Sequence, residues 1–289
     1  MTSRDSKAAL AFLAPALTLL GLFRLWPAAR SLAESLRGWS SAGAKAFVGL
    51  ANYRYLFQED PAFWSSVQVT LKYALIASPI TVAASLGLAF LLRGTGRRSS
   101  ILRTLCFLPS AISLSVVAVV WGLILDPYYG LANSILKGLG LPAQPFLSSP
   151  DQALACLILI VVWRNAGYWM MFFLAGMESI PKEVYEASAL DGASVAQQAW
   201  RITLPLLART MSFVLVANTT FNFVTFAPVF ILTRGGPIGS TNLLMYESYK
   251  SAFVYLDPGR AMAISSLTLI GVLVLSVVQL KLARARFEY

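Results

Sequence analysis

The sequence predicts an all-α polytopic membrane protein with six transmembrane helices and a polar helical insert between the fourth and the fifth. The first observation is composition: 57% of residues are hydrophobic, only 12% are charged, and the mean hydropathy is +0.67. A soluble domain carries about a quarter charged residues. The second observation is that long apolar segments recur along the chain. We therefore expect a single transmembrane domain over residues 1–289.

Apolar segments of about 20 residues, the length that crosses the hydrocarbon core of a bilayer, mark the six spans. We place them near residues 8–32, 67–92, 105–125, 154–177, 206–233 and 261–282. The first follows Arg4 and Lys7, and a basic start before an apolar run is also typical of a signal peptide. Because no small-residue cleavage site precedes a hydrophilic segment, and more spans follow, we expect an uncleaved helix.

The distribution of basic residues predicts the orientation in the membrane. Basic residues gather at the two ends of the chain, between spans two and three, and around the insert: Arg4, Lys7, Arg93, Arg97, Arg98, Arg103, Lys182, Arg201, Arg209, Lys281, Arg284 and Arg286. The loop 126–153 has only Lys137 beside Asp126 and Asp151. By the positive-inside rule, both termini and the insert are cytoplasmic. This dispersed pattern also explains the net charge of +10 without nucleic-acid binding.

The insert, residues 178–205, is predicted to form a short helix, a turn and a second short helix. Asp191-Gly192 interrupts it, and glycine supplies the permissive backbone that such a turn needs. Pro205 fits the first turn of the following membrane helix. A helix-turn-helix that projects from one face of a membrane protein can serve as a docking element.

The insert resembles the coupling-loop motif of permease subunits of bacterial ABC importers. The matching positions are Glu186, Ala187, Ala189, Asp191, Gly192, Ala193, Ile202, Leu204 and Pro205, with Ser188 where the family usually has alanine. The resemblance implies a cytoplasmic coupling helix: Glu186, Asp191 and Gly192 shape it and its turn, and Ala187 and Ala189 allow close approach of the ATPase. An ordinary Asp-Gly loop is the alternative, and the number of matching positions disfavours it.

The same resemblance implies the partners and the cofactors. Two homologous permease subunits form the pathway, two ATP-binding cassette subunits grip the coupling loops, and an extracytoplasmic binding protein delivers the substrate. ATP and magnesium would be bound by those ATPase subunits and not by this chain. Gly235-Gly236-Pro237, a turn sequence, also resembles a turn after the fifth helix in the carbohydrate-uptake branch of the family.

Polar side chains inside spans four and five are the candidate substrate ligands. Polar residues within a membrane tend to face a bundle interior or a water-filled path. Asn218, Asn222 and Thr225 share one helical face because their spacing follows the helical repeat. Span four contributes Arg164, Asn165, Tyr168 and Trp169. Amides, hydroxyls and aromatic rings suit a polyol, and the resemblance to maltose-type permeases supports Tyr168, Asn222 and Thr225. Bonding to a neighbouring helix and simple packing are the alternatives.

Arg164 is the least expected of these residues, since a cation within a span needs an anionic partner, a carbonyl or water. Three interpretations stay open: pairing with a helix of the partner permease, binding an anionic substrate such as a phosphate, and snorkelling to the interface.

The sequence also disfavours several classes of chemistry. It lacks GxxxxGK[ST], HExxH and GxSxG and contains no histidine, so we expect neither ATP hydrolysis by this chain, nor a metal site, nor catalytic residues. Cys106 and Cys156 belong to no CxxC and are expected to be buried thiols.

The ending of the chain bears on the substrate. Leu256-Asp257 and Val277-Val278-Gln279 resemble permeases for glycerol-3-phosphate and glycerophosphodiesters. A neutral di- or oligosaccharide such as maltose or trehalose is the alternative within the family. From other classes, an ion-driven carrier or channel and, less supported, a membrane enzyme remain to be separated by co-purification with an ATPase subunit.

Overall fold

The structure of the protein, a computed structural model, describes residues 3–38 and 46–284, with side chains over 12–38 and 46–282. From the N-terminus the elements are α1 (Ser3–Leu20), a π-helical turn (Gly21–Leu25), α2 (Trp26–Glu34), β1 (Arg37–Gly38), β2 (Ala46–Phe47), α3 (Ala51–Gln58), α4 (Pro61–Leu92), α5 (Arg97–Ala111), α6 (Leu114–Ile124) and α7 (Leu131–Gly138). They are followed by a 3₁₀ turn (Phe146–Ser148), α8 (Ala153–Glu178), α9 (Lys182–Leu190), α10 (Val195–Gln198), a π-helical turn (Ala199–Thr203), α11 (Leu204–Leu206), α12 (Ala208–Phe223), a π-helical turn (Val229–Thr233), α13 (Leu244–Phe253) and α14 (Pro258–Arg284).

The helices of the described part account for a polytopic membrane protein. Four helical stretches are long and apolar enough to cross a bilayer: Phe12–Glu34, Pro61–Leu92, Ala153–Glu178 and Pro258–Leu282. Two bent pairs bring the total to as many as six if each pair is one span. The predicted helical membrane architecture is therefore confirmed, whereas the count of six spans stays a prediction that rests on length and composition.

The predicted third span, residues 105–125, is not one straight helix. Helices α5 and α6 meet at an angle of 95°. Ser113 explains the break, because its hydroxyl accepts a hydrogen bond from the Val116 amide (3.3 Å) and so caps the start of α6. The residues on both sides are apolar, so hydropathy gives no sign of the bend.

The predicted fifth span, residues 206–233, is interrupted as well. Helix α12 follows a 67° bend from the helical stretch Val195–Leu206 and ends at Phe223. Pro228 explains the end, because a proline has no N–H to donate to the carbonyl four residues earlier and its ring crowds that carbonyl. The chain becomes helical again just before the π-helical turn Val229–Thr233.

The chain divides into two compact units, Met1–Trp64 with Glu247–Leu269 and Ser65–Tyr246 with Ile270–Tyr289. The prediction of one permease domain over the whole chain stays a prediction. In the first unit a short antiparallel ribbon pairs Arg37 with Phe47. Next to this ribbon, Asn52 of α3 donates hydrogen bonds to the carbonyls of Ser35 (2.8 Å) and Arg37 (3.0 Å).

A buried ionic cluster lies in the first unit. Arg260, at the start of α14, donates to the Asp60 carboxylate through Nε (2.8 Å) and to Glu247 through a terminal nitrogen (2.8 Å). Glu247 is fully buried and also accepts from Lys250 Nζ (2.7 Å). The Tyr255 ring lies against both cations. Buried charges are tolerated only when they are paired in this way, and none of these residues was singled out from the sequence.

Helix α8 is the centre of the second unit. Trp169, Met170 and Phe173 are buried against side chains of α4 and α12. On another face, α8 meets α5 so closely that a Cβ added at Gly167 would overlap the backbone carbonyl of Cys106. This close approach fixes the position of the side chains that precede and follow Gly167 on α8.

Candidate functional site

A cavity of about 470 Å³ lies in the second unit between α8 and α12. We name it the α8–α12 cavity; it is lined by Ser110, Leu114, Val161, Arg164, Asn165, Tyr168, Trp169, Phe221, Asn222, Val224, Thr225, Phe226 and Ala227. All the predicted substrate residues except Asn218 line it. The structure thus brings together side chains from two spans that the sequence had placed in one site, while their role as substrate ligands stays a prediction.

Aromatic rings form one wall of the cavity. The Tyr168 ring contacts the Trp169 ring edge to face, with centroids 4.9 Å apart. Trp169 is buried and also lies 6.1 Å from the Phe221 ring of α12. Tyr168 is the more exposed of the pair, so its ring and hydroxyl remain accessible. An accessible ring backed by a buried one is suited to stacking on the apolar face of a polyol.

The polar face of α12 divides between the cavity and α4. The Asn222 amide lines the cavity and donates to the Ser78 hydroxyl (2.9 Å). Asn218 is fully buried and donates to the Ser78 backbone carbonyl (3.3 Å). Thr225 lies two residues beyond the end of α12, outside the helix on which the sequence had placed it; its hydroxyl donates to the Phe221 carbonyl (3.2 Å) and it lines the cavity. For Asn218, the structure shows the helix-to-helix hydrogen bond that the sequence left as the alternative.

Arg164 occupies the opposite side of the cavity, where its guanidinium contacts the carboxyl end of α5. Its terminal nitrogen donates to the carbonyls of Ser110 (3.2 Å) and Ile112 (3.0 Å), and Nε donates to Ile112 (3.3 Å). A third nitrogen donates to the Asn165 side-chain oxygen (2.9 Å). A cation at the carboxyl end of a helix is favourable, because the unpaired carbonyls there carry partial negative charge. The sequence left an anion, a carbonyl or water as the partner of Arg164. In the structure its partners include the backbone carbonyls of Ser110 and Ile112.

Ser110 and Leu114 are cavity residues that sequence reasoning missed. They flank the break between α5 and α6 and line the cavity from both sides of it. The signal was present in the sequence, since Pro109 and the capping Ser113 interrupt an apolar run. The hydropathy of 105–125, which predicts one span, does not register this signal.

The insert forms an exposed helix, turn and second helix. Gly192 adopts φ +80° after α9, where the amide of Ala193 donates to Ser188 O (2.9 Å) and that of Gly192 to Ala189 O (3.1 Å). This is the Schellman arrangement, which favours glycine at that position. Helix α10 begins with a capping box between Ser194 and Gln197. The side chains of Glu186, Ala187, Ala189 and Asp191 are exposed, and Pro205 lies in the first turn of α11.

Ser188, the position where this chain departs from the family pattern, joins the two helices of the insert. Its hydroxyl accepts a hydrogen bond from the Gln198 side chain (2.9 Å) and donates to the Tyr185 carbonyl (2.8 Å). Gln198 also donates to that carbonyl (3.2 Å), and the Tyr185 hydroxyl contacts the Thr203 hydroxyl (3.1 Å). These bonds fix the angle of the insert, while Leu190 and Trp200 present apolar surface outward.

A helical membrane protein whose cavity carries polar side chains, and whose helical insert is exposed, has the features of a transport permease. The chain belongs to the family described as binding-protein-dependent transport system inner membrane component, whose model matches residues 65–287. It is therefore a permease component of a binding-protein-dependent transport system of the inner membrane.

Curated permease proteins align with nearly the whole length of this chain. It is 33% identical over 279 residues to the sn-glycerol-3-phosphate transport system permease protein UgpA of Brucella abortus biovar 1 (strain 9-941), covering 96% of this chain and 94% of that protein. It is 38% identical over 276 residues to the probable ABC transporter permease protein YurN of Bacillus subtilis (strain 168), covering 93% and 94%.

The fold matches a solved transporter. A crystal structure of a bacterial ABC transporter involved in the import of the acidic polysaccharide alginate contains a chain with a TM-score of 0.85 to this one. The match covers 99% of this chain and 98% of that chain at 22% identity. At this identity the likeness establishes the fold.

Proposed function

We propose that this permease forms half of the translocation pathway for glycerol-3-phosphate or glycerophosphodiesters. The observation that carries the proposal is the position of Arg164, a cation on the wall of a cavity that Tyr168, Asn222 and Thr225 also line. Arginine is suited to phosphate because its planar fork donates two parallel hydrogen bonds. Amide and hydroxyl groups are suited to the glycerol moiety.

The relatives support the same choice of substrate. UgpA is by name a permease of an sn-glycerol-3-phosphate system. The alginate importer carries an acidic polysaccharide, so an anionic cargo is compatible with this fold. The alternative is a neutral di- or oligosaccharide, and the observation that favours it is the accessible Tyr168 ring backed by Trp169.

The exposed insert is the proposed coupling element. Glu186, Ala187, Ala189, Asp191 and Gly192 form the surface that an ATP-binding cassette subunit would grip, and Pro205 passes the movement to α12. On this proposal the working transporter contains a second homologous permease, two ATPase subunits that bind ATP and magnesium, and an extracytoplasmic binding protein. The termini and the insert are cytoplasmic, because basic residues gather there.

Uptake of labelled substrates tests the proposal. Cells with the gene deleted or restored are given glycerol-3-phosphate, a glycerophosphodiester and a neutral disaccharide. We expect loss of uptake confined to the phosphate compounds, and a loss of about tenfold or more with Arg164→Leu, because a charged hydrogen bond is removed. Loss confined to the disaccharide would instead assign the site to Tyr168, Asn222 and Thr225 and the neutral sugar.

Co-purification tests the class of transporter. An ion-driven carrier or channel would be recovered without an ATPase, whereas the proposed importer is recovered with one.

A further inference from the structure

The break between α5 and α6 lies on the wall of the α8–α12 cavity. Ser110 belongs to the last turn of α5, Leu114 begins α6, and both line the cavity. Between them Ile112 has an extended backbone, so the two helices are joined by a short non-helical link. A bend of 95° at this link means that a small change in its backbone moves a whole helix.

One side chain from another helix fixes this link. Arg164 of α8 donates to the carbonyls of Ser110 and Ile112, and the Asn165 side chain braces the guanidinium. Within residues 12–38 and 46–282, no carboxylate forms an ion pair with Arg164. Among these residues, the hydrogen-bond partners of the guanidinium are therefore neutral oxygens, although the side chain lines a cavity.

We infer that Arg164 acts as a clasp, meaning a side chain whose hydrogen bonds hold the α5–α6 break in the substrate-free state. An anionic substrate releases it, because a phosphate in the cavity competes with the carbonyls of Ser110 and Ile112 for the guanidinium. The inference rests on the proposed function for the nature of the substrate. It adds to that function a mechanism by which occupancy of the cavity changes the helix that forms its wall.

The competition between the two acceptors has a physical direction. A phosphate oxygen carries full negative charge, so its hydrogen bonds to guanidinium are stronger than those of a neutral carbonyl. Once the guanidinium turns to the phosphate, the carbonyls of Ser110 and Ile112 lose the donors that it supplied. They recover donors only if water enters or the link changes conformation. A substrate that binds one state better shifts the population toward it.

Distances between spin labels across the break test the clasp in the assembled transporter. Cys106 and Cys156 are replaced by alanine, and labels are attached at Ile101→Cys on α5 and Leu123→Cys on α6, both exposed side chains. The doubly labelled protein is used only if it retains uptake. Distances are measured without substrate, with glycerol-3-phosphate and with glycerol as the neutral control.

Three variants separate the clasp from general damage. Arg164→Gln removes the charge and most donors, and Arg164→Lys keeps the charge. Arg103→Gln is the matched control: Arg103 also donates to backbone carbonyls, those of Leu92 (2.8 Å) and Gly94 (3.0 Å) at the end of α4, but does not line the cavity.

We expect glycerol-3-phosphate, and not glycerol, to shift the distance in the unsubstituted protein. Substrate-free Arg164→Gln should already show the shifted distance, Arg164→Lys should retain part of the response, and Arg103→Gln should leave it unchanged. Equal substrate-free distances in Arg164→Gln and the unsubstituted protein would overturn the clasp. A transported glycerol-3-phosphate that shifts no distance would overturn release by an anion. If glycerol-3-phosphate is not transported, the proposed substrate fails, and the substrate-free comparison still decides whether Arg164 holds the break.

Discussion

Gly167 shows how a single missing side chain positions the candidate site. Helix α8 can meet the Cys106 carbonyl of α5 only because residue 167 has no Cβ. Small residues at helix crossings are typical of membrane proteins, since packing there replaces the hydrophobic effect. The same contact brings Arg164, three residues before Gly167, into reach of the carbonyls of Ser110 and Ile112.

Replacing Gly167 by alanine should therefore separate α5 from α8. We expect Gly167→Ala to lower the free energy of unfolding by about 1–3 kcal/mol, the usual cost of overpacking. Gly87→Ala is the control, because a Cβ at Gly87 of α4 meets nothing within 4 Å. Thermal unfolding of the purified proteins gives the comparison. Equal midpoints would mean that the helices do not pack this closely.

The buried ionic cluster of the first unit is a second feature determined by single residues. Burial by itself lowers the pKa of the Lys250 ammonium, but its hydrogen bond to Glu247 and the charge of that carboxylate, with Tyr255, raise the pKa above its ordinary value. Lys250 and Arg260 are thus both cations that depend on Glu247.

Removing the charge of Glu247 should be costly because it takes one of two carboxylates from the buried Arg260 and the paired carboxylate from Lys250. We expect Glu247→Gln to destabilise the protein by about 3–5 kcal/mol, the range for a broken buried ion pair. Glu59→Gln provides the contrast, since Glu59 is exposed beside the buried Asp60. The test compares the thermal unfolding midpoints of Glu247→Gln and Glu59→Gln, measured in the same detergent. A variant as stable as the Glu59 control would show that the cluster does not stabilise the fold.

At the scale of elements, the sequence was informative about apolar helices and uninformative about their breaks. Composition and length located the apolar segments, because each crosses about 30 Å of hydrocarbon. The break beside Ser113 depends on a cap, and the end of α12 before Pro228 depends on a missing N–H. Neither feature changes the mean hydropathy of a segment. Helix α7 was missed for a similar reason. It is organised by the buried Asn133, which donates to the carbonyls of Pro127 and Gln144 (both 2.9 Å).

The candidate site was predictable to the same extent. The helical repeat predicted one face for Asn222 and Thr225; in the structure Asn222 lies on α12 and Thr225 just beyond its end, and both line the cavity. The repeat could not show that Asn218, on that face too, lies against Ser78 of α4. That result depends on which helix packs there, and a single sequence does not contain this information. The role of Ser188 in joining α9 to the residues after the turn depends on Gln198, ten positions further on and outside the motif, so the motif alone does not show it.

The turn of the helical insert, at Gly192, allows a test of the proposed coupling role. Gly192 has φ +80° and no neighbour that would contact a Cβ, so backbone conformation and not space limits substitution. Left-handed backbone costs an ordinary residue about 1–2 kcal/mol, more with a β-branched side chain, whereas asparagine tolerates it. We expect Gly192→Val to lose uptake and recovery of the ATPase subunit, and Gly192→Asn to keep most of both. Normal transport by Gly192→Val would exclude the insert as the coupling element.

At the scale of the whole molecule, the proposed orientation places the coupling insert and the loop 126–153 on opposite sides of the membrane. The proposed coupling insert lies among basic residues, and the loop 126–153, with its exposed Tyr128 and Tyr129, does not. Only this orientation lets the proposed coupling insert meet an ATPase in the cytoplasm. The proposed transport cycle therefore depends on the orientation.

Labelling of intact cells with a membrane-impermeant maleimide tests the orientation. In a background without Cys106 and Cys156, cysteines are introduced at Tyr129 and Leu190, whose exposures of 93% and 90% are matched. We expect Tyr129→Cys to react in intact cells and Leu190→Cys to react only after the membrane is permeabilised. Since both side chains are almost fully exposed, a difference reports the side of the membrane and not burial. The reverse pattern would place the insert outside the cell, where ATP-driven coupling through it could not occur.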